Sequence, residues 1–127
     1  MADAHTTEMR DKMKLPESVK IGIHRYSIRV GHEMDGWGHV SHNDKVITIS
    51  DNMVESEKAN TLLEEIGHTC FQMTGVSRLK EMPDNWQDVC LGSLCDWLLH
   101  VLRENPGVTE YLLKAGEGKT ALEKVMA

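Results

Sequence analysis

No stretch of this 127-residue chain approaches the ~20 consecutive apolar residues of a membrane span, which excludes a helical membrane anchor within it. Met1 to Lys12 contain neither an apolar run nor a cleavage site, so they do not read as a secretion signal. Positive charge is also scarce: a formal net charge of −6 argues against nucleic-acid binding driven by phosphate contacts. The three cysteines, Cys70, Cys90 and Cys95, include no Cys-x-x-Cys pair and all fall in helical apolar patterns, where free buried thiols are expected. No internal repeat or low-complexity tract is visible. Nor is there a phosphate loop: Gly116-Glu117-Gly118-Lys119-Thr120 ends like one but lacks the earlier glycine and the preceding strand. These absences leave a soluble, cytoplasmic protein whose partners are neither membrane nor nucleic acid.

At 40% hydrophobic content the chain suffices for one domain with a real core. We expect a flexible leader over residues 1–13, a domain over 14–116 and a tail over 117–127. Residues 18 to 30 alternate apolar and polar around a turn near Ile23 to Arg25, which predicts a hairpin. A glycine-rich loop from Gly31 to Gly38 follows. Trp37 to Val40 and Lys45 to Ser50 then read as a second pair of strands, giving a small antiparallel sheet. A helix is predicted from about Ser56 to Gly75, and another over roughly 85 to 104 with Asp84 as N-cap and Gln87 at the capping-box position. The apolar arc of the second helix covers most of its circumference, so it should be the buried central helix. Asn105-Pro106-Gly107 breaks it, and a short helix from Val108 to Ala115 ends at Gly116. Strands followed by helices make an α+β fold.

The chemistry centres on residues 61 to 71 of the first helix. On a wheel of ~100° per residue, Ala59, Leu62, Leu63, Ile66, Cys70 and Met73 share one stripe, and Glu64, Glu65 and His68 lie opposite. That polar face is either solvated surface with a Glu64–His68 pair at i,i+4, or the floor of a cleft roofed by another element. In a His-Glu-x-x-His helix, two His side chains hold a metal and the Glu is general base toward its bound water. Here Glu64 stands where the first His would be.

With its strand pairs, Thr61-Leu62-Leu63-Glu64-Glu65-Ile66-Gly67-His68, Val101-Leu102-Arg103-Glu104-Asn105-Pro106 and Tyr111-Leu112-Leu113, the chain resembles a family of small zincin-like metallopeptidases found mostly in bacteriophage genomes. The resemblance implies a minimal zincin fold, a zinc ion, Glu65 as general base, His68 as metal ligand and an acidic third ligand early in the second helix. Asp88 is the best match for that third position, with Glu81 and Asp84 in reserve. Asp88 also falls on the apolar arc near Leu91, Cys95 and Leu99, where a carboxylate is costly unless compensated. The other reading of Asp88 is interaction with the positive helix end or solvent.

Glu64 departs from the family pattern. A Glu64, His68 and Asp88 set is chemically competent to bind zinc. Its two carboxylates would cancel the metal's charge, however, lowering the pKa of bound water less and shifting preference toward harder ions such as manganese. The expectation is a weak metal-dependent peptidase, or a pseudoenzyme that has lost the activity. The rival expectation is a non-catalytic phage protein that uses the fold to bind a host or virion protein, in the host cytoplasm or on the virion.

Other groupings carry less. His24, His32, His39 and His42 crowd the strand region without a metal-site spacing, and Asp96 with His100 reads as an i,i+4 ion pair. Trp37, Trp86 and Trp97 are expected to serve the core, with Trp37, beside glycines, the most exposed of the three.

Overall fold

The structure, a computed structural model, describes residues 14–75, 80–81 and 84–116. The expected leader, tail and Gly-Lys-Thr segment lie outside these residues, as do Met82 and Pro83. The described chain is α+β: strands β1 (Ser18–Ile21), β2 (His24–Gly31), β3 (Gly38–Ser41) and β4 (Val46–Ser50) precede helices α1 (Glu55–Thr74), α2 (Trp86–Glu104) and α3 (Pro106–Lys114).

Both hairpins form where the alternation places them. Gly22, at φ 63°, makes the two-residue turn between β1 and β2, a left-handed conformation that favours glycine. The sheet, however, is mixed and not antiparallel. Its order is β1-β2-β4-β3, and β2 pairs with β4 in parallel, Ile28 opposite Ile47 and Val30 opposite Ile49. The physical reason lies in burial. β4 contributes Ile47 and Ile49, both essentially inaccessible, and belongs in the middle; short, half-exposed β3 is suited to an edge.

One face of the sheet is the core. Val19, Ile21, Tyr26, Ile28, Ile47 and Ile49 alternate inward and meet Leu62, Ile66 and Cys70 of α1, with Val101, Val108 and Tyr111 closing the far side. Each fully buried Ile or Leu here contributes about 1.5–3 kcal/mol relative to exposure. The predicted stripe of α1 is therefore its inner face, and the helix stops at Gly75, φ 78°, as its αL C-cap.

α2 corrects the expectation of a buried central helix. Only Cys90 and Val101 are buried along it, while Trp86, Leu91 and Leu99 are each about half exposed. Cys95 is exposed too, so the expectation of three buried thiols holds for Cys70 and Cys90 alone. An all-round apolar pattern calls for cover on every side, and the described residues cover one. Trp86 accordingly leaves the core, Trp97 packs against it, and Trp37 is exposed as expected. Asn85, not Asp84, occupies the N-cap position, without a side-chain capping bond.

The junction between α2 and α3 is more than a helix break. Asn105 is buried, and its side chain pairs with β1 as a neighbouring strand would: Lys20 N–H donates to Oδ1 at 2.8 Å, and Nδ2 donates to Lys20 C=O at 2.8 Å. The same Nδ2 donates to Val101 C=O at 2.7 Å. Pro106 then opens α3 at a position where a missing N–H costs nothing.

Candidate functional site

α1 runs beneath the edge strand β3, and the closest approach is at Gly38. A Cβ on Gly38 would lie 2.6 Å from Thr61 Cγ2 and 3.2 Å from both Cγ and Oε1 of Glu65. Any side chain there would push the strand off the helix, so the missing side chain sets the depth at which the Glu65 carboxyl sits. Val40, the next inward residue of β3, is partly buried against the core, whereas His39 lies opposite Thr48 on the other face of the sheet.

Glu65 is the half-buried member of the polar trio. Its pKa is raised above the ordinary 4.5, first by desolvation and then by the neighbouring Glu64 carboxylate, with His68 and His39 opposing. Glu64 and His68 sit outside it, both well exposed, with Nε2 of His68 3.8 Å from Oε1 of Glu64. Both readings of this face thus hold in part. Glu64 and His68 form the solvated i,i+4 pair, and Glu65 is roofed by β3.

The acidic residues expected to join them stand apart in kind. Glu81, Asp84 and Asp88 are all exposed, Asp88 on the outward side of the first turn of α2. Its neighbours on the apolar arc, Leu91 and Cys95, are exposed as well, so the desolvation that would make a carboxylate costly there is missing. Among the described residues no group of three His, Cys, Asp or Glu side chains is placed to hold a metal ion. The donors in hand are a pair, and a zinc site needs three protein ligands or more.

The remaining histidines act locally. His42 lies 3.1 Å from Tyr26 Oη through Nδ1, and burial, Lys45 and His39 together lower its pKa. His100 pairs with Glu104 at 3.9 Å and sets its ring edge-on to Trp97; Asp96, its expected partner, makes no ion pair among the described residues. A cavity of about 560 Å³ lies elsewhere, lined by Leu15, Ile28, Val30 and Ile49 together with Glu55 and Lys58. Sequence reasoning missed Gly38, whose role depends on a contact between strand and helix that spacing does not encode.

Compared with known protein families, curated proteins and solved structures, the chain finds no match. No described helix is long and apolar enough to cross a membrane.

Proposed function

We propose that this chain is a zincin-like domain of phage type whose metal-dependent peptide hydrolysis is weak or lost. The observation that carries the reading is the placement of Glu65, half-buried beneath the edge strand β3 with His68 on the following turn. A desolvated carboxyl with a raised pKa, next to an open strand edge, suits a general base. The element order agrees with the family that the sequence resembles. What argues for lost activity is Glu64: it replaces a neutral ligand with an anion, and it leaves His68 paired with a carboxylate.

The test is elemental analysis of untagged protein purified without chelator, comparing the unmodified chain with Glu64→His. Substoichiometric zinc in the first and a clearly higher zinc content in the second is the expected result. Robust peptidase activity in the unmodified chain would overturn the loss, and a Glu64→His protein that stays folded yet takes no zinc would overturn the zincin-like site itself.

The second reading, a non-catalytic protein that binds a host or virion protein, is favoured by one observation: the exposed apolar side of α2.

A further inference from the structure

α2 carries two apolar faces, and the described residues cover one. At about 100° per residue, Asp88, Leu91, Gly92, Cys95, Leu99 and Arg103 share an arc opposite the buried Cys90 and Val101. All six are exposed, Leu91 and Leu99 by 58% and 47%. Leu99 stands opposite the core and Leu91 on the flank of the arc, and neither gains anything from water. Neither Asp88 nor Arg103, at the two ends of the arc, has an ion-pair partner among the described residues.

The distribution along this arc is complementary to itself when reversed. A two-fold axis crossing α2 between Cys95 and Asp96 sets Asp88 against Arg103 of the partner subunit, about 11 Å from the axis on either side at 1.5 Å per residue. The same axis sets Leu99 of the partner subunit over Gly92, where the missing side chain admits a close helix–helix approach. Cys95 falls beside the axis. A parallel pairing would instead stack Asp88 on Asp88 and Leu99 on Leu99. Antiparallel pairing also opposes the two helix dipoles favourably, and it satisfies the two-fold symmetry of an isologous contact. Asp96 stays on the rim, where solvent screens it. We propose that the outer face of α2 is a homodimer interface, antiparallel and two-fold, in which Leu91, Cys95 and Leu99 form the apolar seam and Asp88 and Arg103 pair across both ends. The seam is a single short helix pair, so the dimer is concentration-dependent.

The experiment is sedimentation equilibrium of the full chain under reducing conditions, over a wide concentration range. A monomer–dimer equilibrium is expected. Leu99→Arg should weaken it at least about a hundredfold by placing an unpaired charge in the seam, and circular dichroism should show the variant as folded as the parent, since the side chain is already half exposed. Asp88→Arg and Arg103→Asp should each weaken dimerisation roughly tenfold, and the double swap should return it to within about threefold of the parent. Diamide should cross-link the parent through Cys95, the exposed thiol, and not the Cys95→Ser variant. A chain that stays monomeric at every concentration overturns the proposal, whether its α2 face is found bare, covered by residues 117–127 or held by another protein. So does a dimer indifferent to Leu99→Arg, or a double swap no better than its single parents.

Discussion

α1 and α2 are of nearly equal length and lie against each other, yet they divide their surfaces in opposite ways. α1 buries Ala59, Leu62, Ile66 and Cys70 on one side and shows Glu64 and His68 on the other, so its sequence pattern and its environment agree. α2 buries Cys90 and Val101 and turns Leu91 and Leu99 outward. A helix whose periodicity is satisfied by its own chain is a finished structural element. One whose apolar residues exceed the cover that the described residues supply is left unfinished by them. The candidate chemistry sits on the finished helix, and the candidate interface on the unfinished one.

Substitutions on the inner and outer faces break this comparison most directly. Leu62→Ala should cost about 2–5 kcal/mol in chemical denaturation, because Leu62 is fully enclosed and the surrounding sheet cannot collapse onto the gap. Leu99→Ala, measured at a dilution where the chain is monomeric, should stay within about 0.5 kcal/mol. Similar costs at the two positions would mean that the two helices are covered alike.

Asn105→Ala comes next, at roughly 2–3 kcal/mol. It removes three hydrogen bonds of a buried side chain, but the Lys20 backbone groups lie at a sheet edge that water can partly reach. Asn105→Asp sharpens the test, since it keeps the acceptor for Lys20 N–H and loses both donations. If Asp stabilises as well as Asn, the donations to Lys20 and Val101 contribute nothing.

The smallest effect belongs to Glu65. Burial raises its folded pKa above the ordinary 4.5, so the folded state holds a proton that the unfolded chain releases. Its contribution to stability is favourable below the ordinary carboxyl range and is lost as pH rises through the folded value. Glu65→Gln should therefore melt above the parent at pH 7, with the gap closing as the pH falls below about 4.5. A gap that does not change with pH would show that the carboxyl is not desolvated in the folded protein.

What the sequence discloses about this molecule follows from how local each signal is. Alternation over Ser18 to Val30 and over Lys45 to Ser50 reports one buried face per strand, and Gly75 marks where α1 must stop; all appear in the structure. The parallel joint between β2 and β4 was hidden because it links two hairpins, and no turn residue specifies it. For α2 the apolar pattern overstated the burial, since Trp86, Leu91 and Leu99 are exposed. Asp96 and His100 show the limits of spacing: His100 has a carboxylate four residues to either side, and the structure pairs it with Glu104. The candidate site was legible as far as the trio Glu64, Glu65 and His68. That Glu65 alone is roofed depends on Gly38, distant in sequence and silent in any helical wheel.

The Asn105 clamp also has a consequence for the order of events during synthesis. β1 leaves the ribosome before the three helices, and the side chain that occupies its free edge is encoded 85 positions after Lys20. Until that residue emerges, the nascent sheet presents unpaired backbone groups to any neighbouring strand, on the same polysome or elsewhere. The clamp therefore acts as a late seal, and a ribosome stalled before it would release the form of this protein most prone to aggregate.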